Sequence, residues 1–462
     1  MILAALLACA PAADPPLVIV VSLDTLRADR LGAYGNTDGL TPNLDRLAAE
    51  SVVFDRAYAT ANETLYSHAS LFTSRWPSEL SALDDGFSLP IGTPTLATVL
   101  TAYDWRTAAF VAGGQLRREH GTDAGFSVYD DTASWGSLHD TVPRALAWLD
   151  APGDGRPRFL FVHGYDTHDR YLKPTPFGYA RTDPAYDGPA REAVRGHGRT
   201  SLVLDSQLPG RIEEVELLAM TQPRPGRKPF VAAEATRLDD ADIAHVAAVY
   251  DASVAYADAW FGRFMAGLEA RGLYDLATIV VLSDHGEHLG TTGVFHHRYT
   301  LDETTLHVPL VVRLPNGAHG GRHLDGLVEL TDVMPTVLAL AGATPPAAIR
   351  GVSLLSALAG TAPLTRTVTH AEGAQHLLSV ADSTARLTAS GLSHDVPSLT
   401  ALLEHTPFNA ATLTLTGDAT RGPALRAALV DWRASVPLGA RRTPTEAERR
   451  ALREQGYWSA TP

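Results

Sequence analysis

An Asp and a His stand side by side at Asp284-His285, directly after the apolar, β-rich run from Thr278 to Leu282. The chain opens on the same pattern: Leu17 to Val21 is apolar, and Ser22-Leu23-Asp24-Thr25 follows. Ligands of open α/β sheets gather outside the carboxyl ends of the strands. Two strands that each deliver an Asp to one sheet edge, with a His beside one of them, suggest a metal site. A third run, Phe159 to Val162, leads into His163-Gly164-Tyr165-Asp166-Thr167-His168. A lone His at such a place is more often a hydrogen-bonded core residue; two at one strand end can bind an anion or move a proton. Phe295-His296-His297-Arg298-Tyr299 offers a further His that could bind an anion or protonate a leaving group, or could be a solvated basic loop. Finally, Asn62-Glu63-Thr64-Leu65-Tyr66-Ser67-His68 is a hydroxyl-rich turn running into an apolar-periodic stretch. A helix starting there points free N–H groups at an anion, although Ser and Thr before a helix often serve only as caps.

Those residues need elements to hold them. Strand-like and helix-like segments alternate, which favours a sheet flanked by helices. Thr41-Pro42 opens a helix with Leu44, Leu47 and Ala48, Thr serving as N-cap. Thr93-Pro94 opens another with Leu96, Val99 and Leu100. Ala108 to Ala112 reads as a short buried strand. The longest helical signal runs from about Asp240 to Arg271, with Gly272 suited to its C-cap. Val308-Pro309-Leu310-Val311-Val312 and a helix near Asp332 to Leu340 follow. Residues 175–237 have little periodicity and many Pro, Gly and Arg, and read as an irregular insertion, either a lid near the site or a surface excursion.

At 462 residues the chain can bury a large core; 45% apolar and 19% charged content is that of a globular protein. A net charge of −14 argues against a nucleic-acid partner, and an anionic substrate then needs local positive charge. The single Cys, Cys9, excludes an intrachain disulfide and a Cys-ligated metal. It ends the apolar leader Met1-Ile2-Leu3-Ala4-Ala5-Leu6-Leu7-Ala8, which resembles a lipoprotein signal although no Lys or Arg precedes Arg27. The expectation is an exported protein, periplasmic or attached to the outer membrane of a bacterium through lipidated Cys9. No later segment is long and apolar enough to span a bilayer.

Together these motifs resemble the sulfatase family of the alkaline phosphatase superfamily. The resemblance runs from about Leu17 to Leu358 and adds Gly32-Ala33-Tyr34-Gly35, Thr41-Pro42-Asn43-Leu44-Asp45-Arg46, Ser67-His68-Ala69-Ser70 and Val308-Pro309-Leu310 to the segments above. It implies an α/β fold, a large mixed central sheet flanked by helices on both faces, with a smaller C-terminal subdomain. Residues 1–16 would be a leader, 17–358 the catalytic domain and 359–462 the subdomain. It further implies one divalent ion held by Asp24, Asp284, His285 and the oxygen of the nucleophile, which by position is Thr64. His168 and His297 match substrate-anion and leaving-group residues, and His163 a helper. Thr25 stands where many sulfatases carry a second metal-binding Asp, and His285 where arylsulfatases carry Asn, so Mn²⁺ or Zn²⁺ joins Ca²⁺ among the expected ions.

The largest departure from the family is at the nucleophile. Sulfatases usually have Cys-x-Pro-x-Arg or Ser-x-Pro-x-Arg, whose first residue is oxidised to formylglycine. This chain has Thr64-Leu65-Tyr66-Ser67-His68. Oxidising Thr gives a ketone, so the formylglycine route is closed. The expected activity is hydrolysis of small-molecule or glycan sulfate esters by a metal-bound, unmodified Thr64. A phosphodiesterase or phosphotransferase with the same metal site is the first alternative, because metal-activated Thr is familiar in phosphotransfer relatives. A decayed member that binds anionic glycans is the second. Asp24, Thr64, Asp284, His285, His168 and His297 standing together argue against decay.

Overall fold

The computed structural model describes residues 15–80, 87–151, 154–168, 171–193, 203–204, 217–218, 239–290, 295–297, 300–373, 377–390 and 413–436. The leader with Cys9, most of the insertion and residues 437–462 lie outside them. In chain order the first elements are β1 (Leu17–Leu23), α1 (Pro42–Ala49), β2 (Val52–Tyr58), α2 (Thr64–Thr73) and α3 (Leu96–Ala102). Then come β3 (Arg106–Phe110), β4 (Val128–Asp130), α4 (Leu138–Asp150), β5 (Arg158–Gly164) and α5 (Asp240–Glu269). β6 (Ala277–Leu282), β7 (His307–Val308), β8 (Leu310–Arg313), β9 (Arg322–Glu329) and α6 (Val333–Leu340) complete the large layer.

Strands β1 to β9 form one nine-stranded mixed sheet. β1 sits between β5 and β6 and runs parallel to both, with Ser22 level with His163 and with Leu282. β3 and β4 continue the parallel set beyond β5. β8 runs antiparallel to β6 and to β2. Pro309 has no N–H to give a ladder and separates β7 from β8; the pairing with β2 shifts by one residue across it, from Val308↔Ala57 to Val311↔Val53.

Alternation along the strands explains both faces. Ile19, Val21, Leu160, Val162, Ile279 and Val281 pack with Leu44, Leu47, Val142, Val246 and Phe261 of α1, α4 and α5. Val18, Val20, Phe159, Phe161, Val280 and Leu282 pack with Phe72, Leu96, Leu100, Met334 and Val337 of α2, α3 and α6. A strand buried on both faces is apolar throughout, which is why these runs stand out in the sequence. Each such side chain contributes roughly 1.5–3 kcal/mol on burial.

Local details differ from the sequence expectation in two places. Thr41 precedes α1 but makes no side-chain cap; its hydroxyl serves Gly32 N–H and the Asp45 carboxylate instead. α3 is capped by Thr95, in a capping box with Thr98, and not by Thr93. Where the insertion begins, Phe177 meets Tyr256, Tyr186 stacks on His245 at 4.1 Å, and the Tyr186 hydroxyl bonds Asp242, all on α5; most of residues 175–237 lies outside the described residues. The far end of α5 closes as expected. Gly272 takes φ 65°, with Gly272 N–H donating to Glu269 O and Leu273 N–H to Leu268 O. Among the described residues no helix is long and apolar enough to cross a membrane.

A second, antiparallel sheet of β10 (Thr369–Gly373), β11 (Leu377–Ala381), β12 (Ala385–Ala389) and β13 (Leu413–Gly417) packs with α7 (Gly422–Ser435) around Val380, Leu387, Leu425 and Leu429. It is tied to the large sheet through Glu329, the last residue of β9. Glu329 accepts from His370 N–H and Nδ1 and from Thr331 Oγ1, and pairs with Arg366 at 3.2 Å. Burial pushes this carboxyl up, but Arg366 and His370 outweigh it and hold the group at about 2, below its ordinary 4.5. A depressed carboxylate stabilises the fold above its unfolded pKa, and that stabilisation is lost as pH falls from 4.5 towards 2. Glu329→Gln should therefore lower the melting temperature at pH 7 and flatten its acid dependence in that window. Parallel melting curves for variant and wild type between pH 5 and 3 would contradict this.

Candidate active site

The carboxyl ends of β1, β5 and β6 share one edge, and Asp24, His163, Asp284 and His285 meet there. One ligand atom from each of Asp24, Asp284 and His285 lies within 4.8 Å of the others, and all three residues are fully buried. Asp284 Oδ1 accepts from Thr25 N–H at 3.2 Å and His285 N–H at 3.0 Å. His285 Nδ1 faces the Gly286 carbonyl at 2.9 Å; a carbonyl only accepts, so Nδ1 carries the proton and Nε2 is left as a donor atom for a metal. Asp24 Oδ1, Asp284 Oδ2 and His285 Nε2 have no hydrogen-bond partner. Buried polar atoms in folded proteins are mostly satisfied; other unpartnered ones occur here, but these three converge on one point. Burial pushes Asp24 up to about 6, and raises Asp284 with the Asp24 charge adding to it. Three orphaned donors and two carboxylates resisting ionisation fit a divalent cation.

Thr64 opens α2 against this cluster. Its Oγ1 donates to Asp24 Oδ2 at 3.0 Å. Asp24 Oδ2 also receives His163 Nε2 at 3.3 Å. His163 is fully buried, and burial drives its pKa down to about 4, so it is neutral at pH 7. The Thr25 side chain stays outside the donor cluster: its hydroxyl bonds the Asp24 carbonyl at 2.7 Å, while its N–H serves Asp284. Thr25 holds φ 58°, a strained value for a β-branched residue, pinned by Tyr250 Oη donating to its carbonyl at 2.7 Å.

The other two expected histidines form a second row. His297 Nδ1 donates to Glu287 Oε1 at 3.0 Å, and the His297 ring lies 4.3 Å from that of His285. The His168 ring is 5.3 Å from His297. The structure therefore brings every candidate residue to one place.

Several neighbours join the site through contacts that the sequence does not show, although Asn62, Ser67 and His68 stand in the motifs around Thr64. His68 Nδ1 donates to the Thr64 carbonyl at 2.8 Å, and Ser22 Oγ donates to His68 Nε2 at 3.0 Å. Helical i,i+4 spacing from Thr64 could have found it. Ser67, which helical spacing alone would carry away from the strand ends, donates to the Asp284 carbonyl at 2.7 Å. Gln115 Oε1 accepts from Leu65 N–H at 2.9 Å, taking one of the free N–H groups at the start of α2. Asn62 Nδ2 donates to the carbonyls of His297 at 2.6 Å and Thr300 at 2.9 Å, joining the loop before Thr64 to the loop of His297. Such long-range partners leave no local pattern.

Residues 16–343 match the family model described as Sulfatase. The multifunctional alkaline phosphatase superfamily protein PehA of Trinickia caryophylli is 31% identical over 228 residues, 47% of this chain and 40% of that protein. The N-acetylglucosamine-6-O-sulfatase of Bacteroides thetaiotaomicron is 23% identical over 392 residues, 73% of this chain and 70% of that protein. The chain thus spans less than half the length of the first relative. Among solved structures, a phosphonate monoester hydrolase of Agrobacterium radiobacter shares the fold at a TM-score of 0.65 and 18% identity, over 96% of this chain and 95% of that one. With the family model covering most of its length, the chain belongs to the sulfatase family of the alkaline phosphatase superfamily.

Proposed function

We propose that this protein is a metal-dependent hydrolase of sulfate esters whose nucleophile is unmodified Thr64. The observation that carries the reading is the Thr64 hydroxyl, hydrogen-bonded to Asp24 beside the three orphaned donors. A divalent cation held by Asp24, Asp284 and His285 supplies positive charge that favours an ionised hydroxyl and offsets the charge of the transferred group. A nitrogen donor beside two carboxylates suits Mn²⁺ or Zn²⁺ as well as Ca²⁺.

In the proposed reaction Thr64 Oγ1 passes its proton to Asp24 Oδ2, its hydrogen-bond partner at 3.0 Å, and bonds to sulfur as the ester S–O bond breaks. The leaving oxygen takes a proton from His297, whose ring is aimed by Glu287. His168 neutralises the substrate anion, and His163 orients Asp24. Water then attacks the sulfur of the Thr64 sulfo-ester, releasing hydrogen sulfate and restoring the hydroxyl, while Asp24 gives its proton to solvent and His297 takes one back. Thr cannot become an aldehyde, so release by internal elimination is closed to this chain.

A sulfate monoester and a phosphodiester carry the same single charge, and an unmodified Thr also suits phosphorus. A panel of aryl sulfate, phosphate monoester and phosphodiester, run with protein loaded with Ca²⁺, Mn²⁺ or Zn²⁺ in turn, separates the readings. Fastest turnover of the sulfate is expected. A clear preference for the phosphodiester would move the assignment to phosphorus, and metal binding with no turnover would mark a binding protein. His297→Ala should cut turnover of poor leaving groups roughly 10²–10⁴-fold and spare good ones. Equal losses across leaving groups would remove it as the proton donor. The leader ending at Cys9 supports export and lipid attachment at a bacterial envelope. The start of the second sheet at Thr369 supports a division near residue 358 between a catalytic domain and a C-terminal subdomain.

A further inference from the structure

Trp135 is a large apolar side chain left 40% exposed, on a backbone held in the left-handed region at φ 53°. That region disfavours any residue with a Cβ, and such strain collects where ligands are handled. A glycine would suit this backbone better, so the indole contributes something other than the stability of its own loop. The loop is fastened down. Gly136 N–H donates to the Ala112 carbonyl at 2.9 Å, and Tyr165 N–H donates to the Gly136 carbonyl at 3.0 Å. A Cβ on Gly113 would fall 2.0 Å from the Ala133 carbonyl, so the loop is pressed against the chain leaving β3. Ser137 then caps α4.

The indole also has a direction. Its ring lies 4.9 Å from Tyr165 and 5.7 Å from His168. His168 is 5.3 Å from His297, which is 4.3 Å from His285. A row of rings therefore runs from an exposed Trp to the metal-binding cluster. On the hydrolase reading the anionic end of a substrate would sit at Thr64 and its alcohol side would project outward past the histidines.

Resting on the hydrolase reading above, we propose that Trp135 walls a subsite for the alcohol side of the ester and selects leaving groups carrying a flat-faced ring, an aryl group or a pyranose. A pre-positioned indole offers a broad apolar face with few rotatable bonds, so stacking a ring on it costs little ordering. An acyclic alkyl chain gains less from the same face.

Binding is tested apart from turnover, in metal-loaded full-length Thr64→Ala protein, by calorimetry with an aryl sulfate, a sulfated monosaccharide and a short alkyl sulfate. At least one ring ligand should bind roughly ten-fold tighter than the alkyl one, a difference of about 1.4 kcal/mol. The aryl and sugar arms show which ring the subsite takes. Adding Trp135→Ala should remove that preference and leave the alkyl sulfate unchanged, while Trp135→Phe keeps part of it. Trp135→Gly should bind like Trp135→Ala without a lower melting temperature, because the strained φ suits glycine. Equal affinity for all three ligands, no binding of any, or a Trp135→Ala loss shared by the alkyl sulfate overturns the proposal. Turnover is measured separately with Thr64 intact. A protein that hydrolyses esters but shows no ring preference loses the subsite alone; one that prefers rings but hydrolyses nothing loses the hydrolase reading alone.

Discussion

Thr64→Ala should lower turnover by several orders of magnitude, on the scale of about 10³–10⁶, while Thr64→Ser retains a measurable part of it. The hydroxyl donates to Asp24 at 3.0 Å, and Ser preserves it. The helix should survive either change. Ser67 N–H still donates to the Glu63 carbonyl at 2.9 Å, and Leu65 N–H to Gln115, both through the backbone of α2. Peptide mass spectrometry should find ordinary threonine at position 64 in resting protein. Full activity in Thr64→Ala would refute the assignment and point to an activated water.

Asp284 should show the second large effect. Elemental analysis of Asp284→Ala is expected to find the bound metal lost, and turnover with it, by about three orders of magnitude or more. Asp284→Asn separates charge from shape. Its amide oxygen can still accept from Thr25 and His285 N–H, as Oδ1 does now. The metal should nevertheless be lost, because Oδ2 becomes an uncharged amide. Without metal, the Asn variant should melt no lower than wild type, since a buried carboxylate no longer faces Asp24. Retained metal in either variant would remove Asp284 from the ligand set.

The parts of this site that were legible in the sequence are those set by strand ends. β1, β5 and β6 are buried on both faces, so each reads as an unbroken apolar run that stops where Asp24, His163 and Asp284 begin. Parallel pairing then sends those ends to one edge. Other features lack such punctuation. Tyr179 and Tyr186 anchor the start of the insertion on α5 but sit singly among Pro, Gly and charged residues. The second sheet is built from strands of only five residues with no common pattern: Thr369–Gly373 is small and polar, Leu377–Ala381 is buried throughout, and Leu413–Gly417 alternates. Thr95 rather than Thr93 caps α3 because its hydroxyl also reaches the Ala124 carbonyl, a tertiary contact. Gln115, Asn62 and Trp135 are recognisable only by what lies across from them.

The second sheet has a consequence for how the protein is made. Glu372 N–H donates to the Thr60 carbonyl, and Ala61 bridges Glu372, just ahead of Thr64. The Glu372 carboxylate takes Ser78 N–H at 2.6 Å, 294 residues away in sequence, and Arg433 reaches the Ser78 hydroxyl across 355. Thr388 holds the Leu301 carbonyl, and Arg386 pairs with Glu303, steadying the chain after His297. The second sheet follows the large one in the chain, so these contacts close only after residues 369–433 have been made. On a ribosome, the large sheet can form while the loops bearing Thr64 and His297 still lack their brace. The chemistry is then expected to be the last thing the polypeptide acquires, and pulse-labelled hydrogen exchange should show amides around Thr60 gaining protection after those of β1 and β6. Simultaneous protection would show that the loops set without the brace.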